Sequence, residues 1–371
     1  MKVALIHDWL VTPGGAENVL EALCEAFPGA SVFTLVYQPE NFTGSIITKH
    51  SVTTSFLQRF PGITRYYRRL IGLMPYAVEQ FDLREFDVVI SSSHAVAKGA
   101  LTRSDQLHIA YVHTPMRYIW DLYHEYVQDL SRLERWLAGP VFHYLRLWDV
   151  VSSGRVDHFV ANSHYVGSRI RKVYQRTSKV IYPPVDVEFF QQFSHLAKED
   201  YFITAARFVP YKRLDVIIQA FNRLGLRLLV IGSGPDDSRL RAMAGKNITF
   251  LGRVSREVLA ASIARARAFV YAAEEDFGIV LVEAQAAGTP VIAYGRGGAR
   301  EIVVPWGQDH REGATGFLYN EQTPEALVAA VKDFLNHECN LSPFALQENV
   351  KRFSKARFIN EFKNYVKELC G

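Results

Sequence analysis

Two kinds of hydrophobic pattern alternate along the chain: short continuous apolar runs, and longer segments in which apolar residues recur every three or four positions. Continuous runs are typical of strands buried on both faces of a parallel sheet, and the longer repeat is typical of amphipathic helices. In the first half, this predicts strands at 3–7, 31–37, 86–91, 108–113, 158–162 and 180–182, and helices at 16–27 and 163–174. The alternation predicts a doubly wound parallel sheet.

The same alternation restarts near residue 200. Strands are predicted at 201–206, 227–231, 248–251, 268–272 and 290–294, and helices at 214–224, 256–267, 279–287, 324–337 and 355–370. The chain is therefore expected to form two Rossmann-like α/β domains, 1–190 and 191–354. The polar stretch 191–200 is the predicted linker, and a C-terminal helix at 355–371 is expected to pack back toward the N-terminal domain.

Composition agrees with a globular protein of two domains: the chain has 371 residues, of which 49% are hydrophobic and 22% charged. Its net charge of +4 is too small to indicate a nucleic-acid-binding surface. The cysteines are odd in number and widely spaced, so neither a disulfide framework nor a zinc site is expected. The N-terminus lacks the pattern of a signal peptide and no apolar run approaches about 18 residues, which predicts a cytoplasmic protein.

Ligands bind open parallel sheets at the carboxyl ends of the strands, so residues that follow strands are the candidate site. Residues 274–293 read EEDFGIVLVEAQAAGTPVIA. Glu275 lies in the predicted loop, where it would accept hydrogen bonds from a polyol. Gly278 marks a helix start whose free amides suit a phosphate, and Glu283, further into that helix, would accept both hydroxyls of a ribose. The alternative is that this is an ordinary polar loop and that Glu283 is a solvent-exposed residue of the helix. The Phe-Gly pair and the following A-x-G-x-P-V disfavour this alternative.

A second candidate cluster is ARFVPYKRLD at 206–215. Arg207 follows a predicted strand, and Lys212 opens a predicted helix. Two cations placed in this way suit a diphosphate. A basic surface cluster is the alternative, and the position directly after the first strand of the second domain favours the anion site.

Together these two segments resemble the nucleotide-binding half of glycosyltransferase family 4, and the resemblance extends over nearly the whole chain. Members of that family are retaining sugar transferases with the GT-B fold, in which two Rossmann-like domains face each other across a cleft. The resemblance implies an N-terminal acceptor-binding domain and a C-terminal nucleotide-sugar-binding domain. It also implies transfer of a hexose, with UDP-glucose and GDP-mannose as the leading donors, to a sugar or lipid-linked saccharide in the synthesis of surface polysaccharide or glycolipid.

Roles for individual residues follow from the same resemblance. Arg207 and Lys212 would stabilise the departing nucleotide, Glu275 would bind the transferred sugar, and His113 would lie near the anomeric carbon. The residues expected to bind the donor are Gly14, Gly15, Gly252, Arg253, Val254, Phe277, Gly278, Ile279 and Glu283. A plain Pro-Gly-Gly turn at 13–15 and a structural role for His113 are the alternatives in the first domain.

Catalysis is expected to need neither a metal nor a cofactor. The sequence contains no D-x-D metal motif, and two fixed cations beside a helix start can take the place of a metal ion. The resemblance favours front-face transfer, in which the donor phosphate accepts the proton of the acceptor and the enzyme acts by positioning and charge stabilisation.

Other functional classes remain as alternatives. A nicotinamide-dependent oxidoreductase would use Gly232 and Gly234 as a dinucleotide fingerprint, but the third glycine is absent. A nucleotide-sugar epimerase or a non-catalytic nucleotide-sugar-binding protein would keep the fold without the transfer.

Two further segments raise the question of a membrane. Residues 56–76 contain four arginines, several aromatic residues and no acid, and residues 136–148 add apolar and aromatic surface. Peripheral contact with the cytosolic face of the inner membrane is one interpretation. Buried helices whose arginines extend outward are the other, and both stay open at this stage.

Overall fold

The structure is a computed structural model in which residues 1–128, 131–307 and 313–371 are described. The chain forms two compact units: one comprises Met1–Pro184 together with Phe358–Gly371, and the other comprises Val185–Arg357. The predicted linker 191–200 lies inside the second unit, where Lys198 Nζ donates hydrogen bonds to the Ala264 carbonyl and to Thr289 Oγ1. A polar stretch resembles a linker in sequence, yet here its side chains satisfy buried backbone and hydroxyl groups.

The first unit is built on a parallel sheet of seven strands in the order β3-β2-β1-β4-β5-β6-β7. Its elements are β1 (Val3–His7), α1 (Gly15–Ala26), β2 (Ser31–Thr34), β3 (Val52–Thr54), α2 (Ile63–Tyr66), α3 (Met74–Val78), β4 (Val88–Ser93), β5 (Leu107–Val112), α4 (Tyr123–Gln128), α5 (Arg132–Ser153), β6 (His158–Ala161), α6 (His164–Tyr174) and β7 (Ser178–Val180). Short 3₁₀ helices connect several of these elements, the longest at Tyr67–Leu73.

The central strand β1 explains why a continuous apolar run forms a strand here. Its alternate residues enter different hydrophobic clusters: Val3 and Leu5 lie in one, and Ala4 and Ile6 in the other. Both faces of the sheet are therefore covered, as expected for a parallel sheet flanked by helices.

The second unit has a parallel sheet of six strands in the order β10-β9-β8-β11-β12-β13. Its elements are α7 (Val187–Gln191), β8 (Phe202–Ala205), α8 (Leu214–Leu224), β9 (Leu228–Ile231), α9 (Asp237–Met243), β10 (Ile248–Gly252), α10 (Arg256–Arg265), β11 (Phe269–Tyr271), α11 (Ile279–Ala286), β12 (Val291–Tyr294), α12 (Ala299–Ile302), β13 (Gly316–Tyr319), α13 (Pro324–His337) and α14 (Pro343–Lys351). Sheet growth reverses direction between β8 and β11, so the carboxyl ends of these two strands form the topological switch point where ligands bind such sheets.

The last helix, α15 (Lys355–Cys370), contributes to the core of the first unit. Phe358 and Phe362 are fully buried there and belong to the same hydrophobic cluster as Leu5 and Leu23. Two parallel α/β units, the fold class expected from the sequence, are thereby confirmed.

Candidate functional site

Cationic residues follow β8 at the switch point of the second unit. Arg207 lies in the loop after β8 with its side chain exposed, and it has no ion pair or side-chain hydrogen bond among the described residues. Lys212 closes a short 3₁₀ turn at Pro210–Lys212 that precedes α8. Arg213 next to it is held by Asp215 and Gln322, so its charge is used within the protein.

Lys212 forms an ion pair with Glu275, and this is the contact that joins the two sequence clusters. The ammonium group also lies 3.2 Å from the hydroxyl of Tyr271, the last residue of β11. Both charged side chains are largely shielded, with 14% of Lys212 and 20% of Glu275 exposed. The fold therefore brings a predicted leaving-group cation and a predicted sugar-binding acid together across the switch point.

The loop after β11 is held in shape by its neighbour after β12. The amide of Gly298 donates to the Glu275 carbonyl at 2.8 Å, and a Cβ on Gly297 would come within 2.2 Å of that same oxygen. Gly278 ends the loop with φ of +100°, a conformation that disfavours any residue with a side chain. Ile279 then begins α11, whose first amides have no partner within the helix.

Glu283 lies in the second turn of α11, half-buried, and its carboxylate has no hydrogen-bond or ion-pair partner among the described residues. Burial raises the pKa of this carboxyl to about 7, with a smaller upward contribution from Asp186 and an opposing one from Arg256. A carboxylate without a protein partner, beside a helix start, is available to accept hydrogen bonds from a diol.

The loops after β9 and β10 complete the carboxyl edge of this sheet. Gly252, with φ of +70°, ends β10 and accepts a hydrogen bond from the Gly232 amide. Arg253 is exposed and donates from Nε to Ser233 Oγ at 2.8 Å, and the half-buried Val254 follows it.

Two glycines of the alternative dinucleotide fingerprint have a structural reason of their own. Cβ atoms on Gly232 and Gly234 would lie 1.9 Å from the carbonyl oxygen of Ala206 and 2.3 Å from that of Phe208. These glycines therefore allow two loops to touch, which explains their presence without a dinucleotide.

In the first unit, the predicted glycines begin α1. Gly14 is its N-terminal cap in an extended conformation, and Gly15 is its first residue. A Cβ on Gly14 would approach Glu17 Oε2 at 3.1 Å, so this acid of the first helical turn lies under the glycine loop. The loop is therefore more than a connection, because it covers a buried carboxylate.

His113 follows β5 at the carboxyl end of the same sheet. Its Nε2 lies 2.8 Å from Ser92 Oγ, and the hydroxyl in turn lies 3.1 Å from Nδ1 of His7. Burial, and then the neighbouring His94 and His7, hold the pKa of His113 well below its usual range. His113 is therefore neutral near pH 7.

Neither His7 nor Ser92 was expected from the sequence. The pairing of β1 with β4 places these two residues opposite each other, and no local motif signals it. Asp8 directly follows β1, and its carboxylate accepts four hydrogen bonds from the backbone amides of residues 94–97. It thus fixes the loop after β4 that carries His94.

Among the described residues, no group of three or more histidine, cysteine, aspartate or glutamate side chains could hold a metal ion. Within the same residues, no helix is both long and apolar enough to cross a bilayer. The three cysteines, Cys24, Cys339 and Cys370, are free.

Two family models match the chain in succession. The model described as "Glycosyltransferase Family 4" matches residues 13–189, and the one described as "Glycosyl transferases group 1" matches residues 186–356. The matches therefore run without a gap through both units.

Individual proteins agree with these models. A GDP-mannose-dependent monoacylated alpha-(1-6)-phosphatidylinositol monomannoside mannosyltransferase of Corynebacterium glutamicum is 38% identical over 27% of this chain and 30% of its own. Anabaena HepE, solved with UDP and glucose, superposes with a TM-score of 0.68 at 17% identity, over 98% of this chain and 99% of its own. Sucrose-phosphate synthase of Thermosynechococcus elongatus superposes with a TM-score of 0.72 at 17% identity, over 100% of this chain and 99% of its own.

The curated relatives are matched over only part of their length. The alignments cover 55%, 30% and 46% of the first three. The structural matches, in contrast, extend over almost the whole of both chains and establish the fold.

Proposed function

Since this chain belongs to glycosyltransferase family 4 and has the GT-B fold, we propose that it is a retaining hexosyltransferase that needs no metal ion. The donor is a nucleoside diphosphate sugar, with UDP-glucose and GDP-mannose as the candidates. The acceptor is a sugar or a lipid-linked saccharide used to build surface polysaccharide or glycolipid, and the reaction takes place in the cytoplasm.

The observation that carries this proposal is the Lys212–Glu275 pair at the switch point. Without a donor, the two charges neutralise each other. When a donor binds, Lys212 can pair with its diphosphate in place of Glu275. Glu275 can then accept hydrogen bonds from the hydroxyls of the sugar in place of its ion pair with Lys212. Arg207, which has no partner among the described residues, is available for the same diphosphate.

In the proposed reaction, the bond between the anomeric carbon and the diphosphate oxygen breaks, and its electron pair stays on the diphosphate. The acceptor oxygen bonds to the anomeric carbon on the same face, and its proton passes to the departing diphosphate. Lys212 and Arg207 stabilise the charge that develops on that leaving group, and the start of α11 adds its dipole. The two cations perform the role that a metal ion would otherwise have, which supports metal independence.

Support for the donor comes from two directions. The Corynebacterium relative uses GDP-mannose according to its name, and HepE was solved with UDP and glucose. Both ligands share the diphosphate and ribose contacts, so the site described above fits either.

Thermal unfolding with UDP, GDP, their sugar conjugates and NAD, all in the presence of EDTA, tests the proposal. A ligand at a hundred times its Kd stabilises the folded protein by about 2.7 kcal/mol, which gives a measurable rise in Tm. Stabilisation by UDP or GDP supports the proposal and identifies the base. Stabilisation by NAD alone would instead indicate an oxidoreductase.

Glu283→Gln is expected to weaken nucleotide binding by roughly ten- to a hundredfold, because charge-assisted hydrogen bonds to the ribose are lost. With a pKa of about 7, Glu283 is protonated in acid, so nucleotide affinity should rise between about pH 6 and about pH 8 as the carboxylate forms. Calorimetric titration with UDP and GDP measures both effects. Exposed Glu321 of the same unit provides the control, Glu321→Gln, which should keep both the affinity and its pH dependence. Equal affinity in the two variants would remove Glu283 from the site.

For the first unit, we propose peripheral contact with an anionic lipid surface. The segment 56–76 buries Leu57, Ile63 and Met74, whereas all its arginines are exposed together with Phe60, Leu73 and Tyr76. Next to it, α5 exposes a row of apolar and aromatic residues at helical spacing: Trp136, Tyr144, Leu147 and Val151. One face of this region is therefore core, and the exposed arginines and apolar side chains of the other face support the proposed contact with a bilayer.

The double substitution Arg65→Gln and Arg69→Gln is expected to weaken binding to anionic vesicles by roughly thirtyfold, since each arginine near such a surface contributes about 1 kcal/mol. Sedimentation with vesicles of phosphatidylglycerol and phosphatidylcholine measures the binding. The matched control is Arg171→Gln with Lys172→Gln, an exposed pair on α6. Equal losses in both double variants, or equal binding to pure phosphatidylcholine, would show that this surface does not contact the membrane.

A further inference from the structure

The side chain of Gln322 connects two loops at the carboxyl edge of the second sheet. Its Oε1 accepts a hydrogen bond of 2.9 Å from Arg213 Nη1, and its Nε2 donates one of 2.7 Å to the carbonyl oxygen of Ala272. Arg213 directly follows Lys212 in the loop after β8. Ala272 directly follows β11 and begins the loop that carries Glu275. One half-buried amide, the Gln322 bridge, therefore joins the two segments that form the ion pair.

We infer that Gln322 is a positioning residue that sets the separation between Lys212 and Glu275 and so acts on the reaction through these two side chains. The chemistry assigned to the pair rests on the proposed function. The Gln322 bridge itself stands on contacts within the protein.

The donors and acceptors on either side account for an amide at position 322. A guanidinium group only donates hydrogen bonds, and a backbone carbonyl only accepts them. The residue between Arg213 and Ala272 must therefore offer an acceptor to one and a donor to the other. Glutamine has both groups, whereas an ionised glutamate has only acceptors and lysine has only donors.

Backbone conformation constrains the Arg213 end of the Gln322 bridge. Arg213 has φ of +52°, in the left-handed region that residues with a side chain rarely adopt. Such a conformation persists where the surrounding contacts hold it. Here Asp215 Oδ1 accepts from Arg213 Nε at 3.2 Å, and Gln322 accepts from Nη1. Because Lys212 is the preceding residue, the direction of its side chain depends on this conformation.

The Ala272 end lies in buried backbone that is also tied to β13. Ala272 has no exposed surface. The hydroxyl of Tyr319, the last residue of β13, donates to the adjacent carbonyl of Tyr271 at 3.1 Å. The Tyr271 hydroxyl in turn lies 3.2 Å from the ammonium group of Lys212. The end of β11 is thus attached both to the chain segment that carries Gln322 and to the cation.

Gln322 itself stands on a rigid base. It precedes Thr323, the N-cap of α13, whose hydroxyl accepts from the Ala326 amide at 3.2 Å. Leu327 and Phe334 of α13 are buried in the same hydrophobic cluster as the apolar face of α8. A side chain anchored in this way can hold the two loops at a fixed distance.

The variant Gln322→Glu tests the role in the reaction, because it keeps an acceptor for Arg213 and removes the donor to Ala272. With UDP-glucose or GDP-mannose, kcat for nucleotide release should fall about tenfold, since misplaced groups lose transition-state stabilisation. The Kd for UDP or GDP, measured by calorimetry, should change less than about twofold, because exact spacing matters mainly at the transition state.

The matched control is Gln347→Glu, which changes a half-buried glutamine of α14 that donates to Ser194 Oγ at 3.2 Å. This control should keep the kcat of the unmodified protein. Equal kcat in Gln322→Glu and Gln347→Glu would overturn the inference.

A double-mutant cycle separates positioning from a general effect on the fold. If Gln322 acts through the ion pair, Gln322→Glu should lower kcat by about twofold or less in a protein that already carries Lys212→Ala, because effects of coupled residues are not additive. The same tenfold loss in both backgrounds would show that Gln322 acts independently of the pair and would overturn the inference.

Hydrogen–deuterium exchange followed by mass spectrometry tests the Gln322 bridge without any turnover. In Gln322→Met, which removes both contacts, peptides covering 206–215 and 272–280 should exchange faster than in the unmodified protein. Gln347→Met should leave both peptides unchanged. Unchanged exchange in Gln322→Met would overturn the inference whatever the activity. Faster exchange in a protein that is inactive with both donors would support the bridge and count against the proposed function.

Discussion

Replacing Lys212 with alanine is expected to lower kcat/KM for sugar transfer by roughly a hundred- to a thousandfold, the loss typical of removing one preorganised group that stabilises transition-state charge. The leaving diphosphate gains negative charge as its bond to the sugar breaks, and the ammonium group of Lys212 is the fixed cation at the switch point. Only 14% of this side chain is exposed. Its charge therefore interacts more strongly with the diphosphate than that of a fully solvated lysine would.

Two companion variants make this result interpretable. Lys246→Ala removes an exposed lysine from the same unit and should leave kcat/KM unchanged. Lys212→Arg keeps the charge in a different geometry and should recover part of the rate. Glu275 loses its ion-pair partner in Lys212→Ala, so the fold of this variant should be checked by its Tm. A folded Lys212→Ala enzyme with full activity would exclude Lys212 from leaving-group stabilisation.

The second large effect concerns stability: Asp149→Ala is expected to lower the free energy of unfolding by about 3–5 kcal/mol. Asp149 has no exposed surface and lies 2.9 Å from the ammonium group of Lys98, which is itself 1% exposed. It also accepts hydrogen bonds from Trp120 Nε1 and from the hydroxyl of Tyr174. Truncation would leave a buried cation without its charge partner and two donors without their acceptor.

Urea unfolding followed by tryptophan fluorescence measures this loss, because Trp120 belongs to the network. The control is Asp82→Ala, which breaks a solvent-exposed pair with Arg84 and should leave the free energy of unfolding nearly unchanged. Replacing Lys98 and Asp149 together with apolar residues of similar size should restore much of the stability, since no lone charge then remains. A loss in Asp149→Ala no larger than in Asp82→Ala would show that the buried pair has no net stabilising effect.

The sequence predicted elements best where the hydrophobic repeat was strong and the caps were clear. The helix at Leu214–Leu224 has a continuous apolar face and ends at Gly225, whose φ of +69° suits a helix end, and its predicted and observed bounds agree. The helices Pro324–His337 and Lys355–Cys370 also agree with their predicted bounds. The hydrophobic repeat was less informative for residues 56–78, because this segment forms several short helical turns and no single long helix or strand.

Within the candidate site, sequence patterns could locate those residues that lie in one continuous motif. Glu275, Gly278 and Glu283 are local in sequence, so the strand-loop-helix phase alone placed them. The roles assigned to them, and to the other predicted site residues, stay predictions. The contacts of His7 and Ser92 behind His113 could not be predicted, because these two residues meet only through the pairing of two strands that are distant in sequence.

The central claim, retaining transfer from a nucleoside diphosphate sugar without a metal, is tested most directly by ¹H NMR of the sugar released or transferred during turnover. UDP-glucose and GDP-mannose, each α-linked, would be supplied in turn with EDTA, and the spectrum would be followed from the first minutes, before the released sugar equilibrates. The account predicts nucleotide release with one donor and an α-linked or α-anomeric product. A β product, or turnover that stops in EDTA and resumes with Mg²⁺, would contradict it.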